Sequence, residues 1–334
     1  TSDILTTANL PATLGADAPY ENMGTIQTKG WELAIDYRHT FKNGLHFGVT
    51  ASVADDKTEV TKWTYNTKIP SYGATGWWGK SAYKEGMVLG DIWGLQFDRF
   101  LTEDDFNADG SLKAGLPDQT KVFPAGYQFA PGDVLYKDLD NNGEIVKQTN
   151  TNDKGDLSVI GNALPRLQFG LNLDAAWKGF DISMFFQGVA KRKLWAAGNQ
   201  VLPGFTTGEP FYKGAEDYWT PENTDAFYPR PMDYKQSASG NYSVNDRYLL
   251  NMAYLRLKTF TVGYSLPKVW LSKFKVQGLR VYFTGENLFT IDGVKPAIDP
   301  EIGIRTASGK SDQRNFGRSY PYQKTVSFGI QLSL

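Results

Sequence analysis

The sequence predicts an all-β chain that supplies part of the wall of a transmembrane antiparallel β-barrel. Segments alternating apolar and polar residues recur seven times along the 334 residues, and a strand's side-chain period of two makes each a ribbon with one apolar and one polar face. No run approaches the about 18–20 apolar residues that a membrane helix needs, so only a closed barrel would satisfy the backbone in hydrocarbon. Links between the segments alternate short and long, as do the periplasmic turns and outer loops of bacterial barrels.

The first strand sets Trp31, Leu33, Ile35 and Tyr37 against Glu32, Ala34, Asp36 and Arg38. The second sets Leu45, Phe47, Val49, Ala51 and Val53 against His46, Thr50 and Ser52. Lys42-Asn43-Gly44 joins them, and Asn-Gly tolerates the positive φ of a tight hairpin. The third strand turns Leu167, Phe169, Leu171, Leu173 and Trp177 outward, and after a Lys178-Gly179 turn the fourth does the same with Ile182, Met184, Phe186 and Gly188. The fifth opposes Leu255, Leu257, Thr259 and Thr261 to Arg256 and Lys258. The sixth opposes Leu279, Val281 and Phe283 to Arg280, Tyr282, Thr284 and Glu286, across a link carrying Pro267 and Trp270. In the seventh, Val326, Phe328, Ile330, Leu332 and Leu334 share a face that stays apolar to the last residue. Asp36, Asp174, Arg256, Lys258, Arg280 and Glu286 point the other way and are expected to line a polar barrel lumen against water or a plug. Trp31, Trp177 and Tyr322, at outward-facing strand ends, suit an interfacial girdle that meets outer-membrane lipid.

The short links (42–44, 178–179, 265–277) and long links (61–164, 195–247, 290–320) place the C-terminus in the periplasm and Thr1 in an extracellular loop. Residues 61–164 are expected to form a large extracellular lobe, with 195–247 and 290–320 as extracellular loops. Met87–Leu101 reads as a further strand, but spanning would break the alternation. It is expected outside the membrane, paired with residues near 121–137. An odd, incomplete set of strands leaves open edges with unpaired backbone groups. Residues 1–334 are therefore expected to be the C-terminal part of a longer protein whose other strands complete the wall.

Cysteine is absent, which excludes thiolate metal sites, a Cys nucleophile and disulfides. His39 and His46 are the only histidines and sit across a hairpin without a third ligand, so neither a nucleophilic triad nor a zinc site is expected. Gly79-Lys80-Ser81 lacks the spacing and the strand–helix unit of a phosphate loop. The chain is not expected to be an enzyme or to use an organic cofactor, and a net charge of −1 gives no basis for binding nucleic acid.

Several stretches resemble one family. They are Gln27-Thr-Lys-Gly-Trp-Glu-Leu33, Gly132-Asp-Val-Leu-Tyr-Lys-Asp-Leu-Asp-Asn-Asn-Gly143, Val159-Ile-Gly-Asn162 with Pro165, Tyr218-Trp-Thr-Pro-Glu-Asn223 with Tyr228-Pro-Arg230, and Tyr254-Leu-Arg-Leu257. In order and spacing, over nearly the whole chain, they resemble the C-terminal barrel region of the SusC/RagA class of TonB-dependent outer-membrane transporters of Bacteroidetes. The resemblance implies about 22 strands, the size class of plugged transporters. It also implies a plug and a TonB-contacting segment N-terminal to these residues, a SusD-like lipoprotein as lid, and import of an oligomeric nutrient, a glycan or a peptide. Ser327-Phe-Gly-Ile-Gln-Leu-Ser-Leu334 resembles a barrel-assembly signal, with leucines where aromatics are commoner.

Asp138, Asp140, Asn142, Gly143 and the backbone carbonyl of Glu144 fall at calcium-loop positions 1, 3, 5, 6 and 7. Position 12 is Thr149 instead of a glutamate. By the resemblance, Asp156 takes the place of a carboxylate just before Val159-Ile-Gly. The expectation is a structural Ca2+ or Mg2+; the alternative is an Asx-rich turn without an ion. Trp77, Trp78, Trp93, Trp195, Tyr218 and Trp219 fall in or beside the long links. Trp77, Trp78, Tyr218 and Trp219 are carried as candidates for ligand or lid contact, and loop aromatics favour a glycan because aromatic faces stack on sugar C–H faces. A passive porin and a surface adhesin stay open as other functions.

Overall fold

A computed structural model of the chain describes residues 1–7, 19–64, 84–147, 154–196, 198–205, 210–232, 240–272, 276–295, 298–301, 306–307, 310–311 and 322–334. Strands β1 (Ile4–Thr7), β2 (Tyr20–Thr40) and β3 (His46–Trp63) open the chain. Four short strands occupy the first long link: β4 (Asp91–Gly94), β5 (Phe97–Phe100), β6 (Val134–Tyr136) and β7 (Ser158–Asn162). The hairpin of β8 (Arg166–Trp177) and β9 (Phe180–Lys191) follows, then β10 (Lys193–Leu194) and β11 (Leu250–Asn251). β12 (Tyr254–Ser265), the short helix α1 (Lys268–Leu271), β13 (Gly278–Asp292), β14 (Thr306–Ala307), β15 (Lys310–Ser311) and β16 (Thr325–Ser333) complete the chain.

One antiparallel sheet runs in the order β1-β2-β3-β8-β9-β12-β13-β16. It contains all seven expected spanning strands, each beside its neighbour in sequence, with β1 added at one edge. Local chemistry explains the tight links. Gly44 has φ +80° and donates to the Phe41 carbonyl, while the Asn43 side chain accepts from Leu45 N–H. Lys178 and Gly179 both have positive φ, 49° and 89°, as a two-residue turn matching strand twist requires.

Strands β2 and β3 run for 21 and 18 residues, about twice the 9–11 that cross a bilayer. Their ladder continues past the alternating region through Lys29 opposite Lys57 and Thr28 opposite Thr58, whose hydroxyls lie 2.8 Å apart. Charged residues at 55–57 and 59 hide this extension from a reading based on apolar alternation.

The Met87–Leu101 segment starts against the extended end of β3, where Val88 bridges Glu59, and its two strands then pair outside the sheet, partly as expected. β5 pairs with β6, but β4 pairs with β7 rather than with anything near 121–137. The two buried apolar clusters also lie outside the sheet. One joins Ile92 to Leu194, Trp195, Tyr228, Tyr242 and Tyr248; the other joins Leu95, Phe100 and Tyr136 to Trp219 and Ala226. The two long links therefore share their cores and fold into one body.

The sheet's apolar face shows the reverse. Trp31, Leu33, Ile35 and Tyr37 are each more than half exposed, and Phe328 and Ile330 are 83% and 74% exposed. Covering one such side chain stabilises by about 1.5–3 kcal/mol, so a row of them left open across a sheet needs an apolar medium.

Candidate functional site

Register shows which side chains share a face. Asp36 lies opposite Thr50 and Thr50 opposite Asn172; Asp174 pairs with Ser183, Ser183 with Thr261, and Thr261 with Thr284. The polar face is thus continuous from β2 to β13, and on β16 it carries Ser327, Gly329 and Gln331.

The fifth strand departs from its expected phase. Leu257 pairs with Phe186 and Thr259 with Phe185, leaving Lys258 as the inserted residue of a bulge. Beyond it the faces exchange, so Thr259 and Thr261 join the polar side, while Phe260 and Val262 join the apolar side opposite Met184 and Ile182. An inserted residue shifts a period-two pattern by one. The sequence signal is the change of apolar parity between Leu257 and Phe260.

Residues expected in the lumen are placed as follows. Asp36 accepts from Thr50 Oγ1 at 2.7 Å, and Asp174 lies 3.7 Å from His46. Arg280 grips Asp181 with Nε and Nη2, and Glu286 is exposed opposite Thr259. Arg256 and Lys258 are occupied within the chain. Arg256 reaches Asp299 at 2.8 Å and Glu301 at 3.1 Å, and Lys258 reaches Glu301 at 2.7 Å. The stretch after β13 folds back onto the polar face there, and the Arg256 side chain is 4% exposed. Burial alone would raise the Asp299 carboxyl. The Arg256 guanidinium and the Glu301 and Tyr322 N–H groups outweigh it and hold the carboxyl below its usual range.

The motif residues of the two long links meet. Gly132, at φ +90°, passes under Trp219, where a Cβ would stand 2.4 Å from the indole. The adjoining Asp133 is fully buried and accepts from Arg230 Nε at 2.8 Å, Tyr127 Oη at 2.9 Å and Asn241 Nδ2 at 3.0 Å. Gly132-Asp133 and Trp219 with Tyr228-Pro-Arg230 form one buried lock. Trp219, expected as a ligand or lid contact, is corrected to core, because glycine's missing side chain is the slot it fills. Trp195 is likewise buried. Trp77 and Trp78 lie outside the described residues.

Of the five expected metal ligands, three converge. Carboxylate oxygens of Asp138, Asp140 and Asp156 lie within 4.8 Å of one another. The loop folds around them, with Gly143 at φ +84° and donating to Asp138. Asp156 is buried and holds Leu139 N–H at 2.8 Å and Val146 N–H at 2.7 Å. Desolvation, with repulsion from Asp156 and Asp138, raises the Asp140 carboxyl. The Glu144 carboxylate, which the loop pattern does not call on, goes to Lys121, and the Asn142 amide oxygen accepts from Glu144 N–H. Thr149 lies outside the described residues. Three hard oxygen donors fit a calcium or magnesium ion.

Tyr218 is 41% exposed at the mouth of a cavity of about 450 Å3. Phe211 and Tyr212 wall it, Tyr228 and Tyr242 form its floor, and Lys213 and Glu216 stand at its rim. Sequence reading missed all of these but Tyr218, since no motif joins 211–218 to 242.

Similarity to known proteins accords with this architecture. TonB-dependent receptor P3 of Formosa agariphila is 26% identical over 344 residues, covering 99% of this chain and 31% of that protein. The TonB-dependent receptor SusC of Bacteroides thetaiotaomicron is 22% identical, covering 100% of this chain and 29% of that protein. This chain is a relative of the SusC-type TonB-dependent receptors. It spans about a third of the length of the curated relatives it matches. No family model matches it. The structure of the RagAB peptide transporter shares the fold at TM-score 0.63 and 18% identity, over 99% of this SusC relative and 32% of that chain. The proteins it is similar to are named as TonB-dependent receptors and a peptide transporter.

Proposed function

We propose that this chain supplies wall strands and outer loops of a SusC-like, TonB-dependent importer of oligomeric nutrients. The observation that carries the reading is the sheet itself. One face is apolar, exposed on β2 and β16 and partly exposed on most of the strands between, the other is polar, and the two buried apolar clusters lie in the links. Short links then face the periplasm together with the C-terminus, while the 61–164 lobe, the 195–247 and 290–320 loops and Thr1 face outward. Strands and a plug from the rest of the protein complete the barrel, a SusD-like lipoprotein covers the outer loops, and TonB supplies energy through the N-terminal part.

A glycan is the substrate class we favour, supported by the exposed aromatics around Tyr218; the RagAB neighbours, titled peptide transporter and importer, favour a peptide as the second reading. Asp138, Asp140 and Asp156 would hold one Ca2+ or Mg2+, supplying charge neutralisation that staples the lobe.

The test is nutrient uptake in cells with and without TonB. Uptake should collapse when TonB is deleted. Uptake that survives the deletion would mark a passive porin.

A further inference from the structure

We infer that the cavity between Phe211 and Tyr242 binds one pyranose ring of an uncharged oligosaccharide. The inference deepens the import reading and rests on it for the presence of a soluble ligand outside the membrane. The walls are three aromatic side chains that the fold leaves open: Phe211 at 57%, Tyr218 at 41% and Tyr212 at 36% exposure. Trp195, Tyr136 and Tyr248 are buried completely in the same body, whereas these three rings border one hollow with their faces part-exposed.

The floor is rigid. Tyr228 stacks on Tyr248 at 6.0 Å, Tyr242 meets Tyr248 edge-on at 5.2 Å, and the Tyr228 hydroxyl donates to the Val201 carbonyl at 2.9 Å. Pro229 and Pro231 stiffen the chain beside it. A preformed aromatic hollow of this volume is a small-ligand site.

The chemistry of the rim selects the ligand. Lys213 and Glu216 are both exposed there, one charge of each sign. An ammonium that donates and a carboxylate that accepts suit the hydroxyls of a sugar, whose C–H faces stack on the rings. Capture of an extended peptide commonly uses a free strand edge. None of the lining residues belongs to a strand.

The experiment is saturation-transfer NMR on the full-length transporter in detergent, offered maltohexaose, cellohexaose and xylohexaose in turn, with decaproline as competitor. At least one hexasaccharide should show saturated ring C–H protons. Tyr218→Ala and Phe211→Ala should each reduce the signal about fivefold, as loss of one aromatic wall implies. Tyr218→Phe, which keeps the ring, should retain it. No saturation from any of the three sugars, signals indifferent to both alanine variants, or displacement by decaproline would overturn the inference. TonB-dependent uptake measured in the same strain separates the two readings. Dependence on TonB without saturation sinks the cavity alone, whereas TonB-independent uptake sinks the importer.

Discussion

Arg256→Met is the sharpest perturbation of the wall. The guanidinium holds Asp299 at 2.8 Å, Glu301 at 3.1 Å and Thr290 Oγ1 at 2.7 Å, among side chains only 4%, 5% and 9% exposed for the three charged residues. With Lys258 the cluster balances two cations against two carboxylates. Methionine keeps much of the volume but removes one positive charge, leaving Asp299 only backbone N–H donors and Glu301 only Lys258 and the Tyr254 hydroxyl among the contacts described. Breaking a buried pair in this way costs about 3–5 kcal/mol. At about 1.4 kcal/mol per factor of ten, local opening of 298–301 should rise about 150- to 4,000-fold. Hydrogen–deuterium exchange on the full-length protein reads this directly, through lost protection at Glu301 and Tyr322. Adding Asp299→Asn alone should restore most of it, because it removes the one carboxylate left without a cation while Lys258 keeps Glu301. Unchanged exchange in Arg256→Met, or still faster exchange in the double variant, would refute the argument.

Gly132→Ala should destabilise the lock between the long links by about 2–5 kcal/mol, combining a left-handed φ with an overpacked Trp219; thermal unfolding followed by near-ultraviolet circular dichroism would record it. Hydrogen bonds from Arg99 hold the Asp105 carboxyl at about 2. A lowered folded-state value contributes stability above the unfolded value of about 3.9 that is lost as pH falls toward 2. Protease nicking around 99–113 should therefore rise between pH 4 and 2, and Arg99→Gln should shift that rise to higher pH. Chelation with EDTA should speed cleavage within 130–160 if Asp138, Asp140 and Asp156 share a cation, and Asp140→Asn should remove the effect.

The spanning strands were legible because lipid on one side and polar surroundings on the other write a period of two into the residues themselves. Link lengths then ordered the strands, and Asn43-Gly44 and Lys178-Gly179 announced their turns. Asp138, Asp140 and Asp156 were readable as a set from loop spacing and family likeness. Three matters belonged to the tertiary structure alone. The bulge at Lys258 leaves only a change of apolar parity between Leu257 and Phe260 in the sequence, and it took the ladder to show which residue is inserted. Trp219 reads from its Tyr-Trp-Thr-Pro motif as loop architecture before ligand contact, but what it packs on is known only once Gly132, 87 positions earlier, is seen to leave space for its ring. The cavity at Tyr218 is lined by residues from Pro203 to Tyr242, all within one long link, so only the folding of that link on itself brings Phe211 and Tyr242 together. Facing toward a medium is a local property that sequence periodicity records; adjacency between distant loops depends on shape complementarity, which no local pattern encodes.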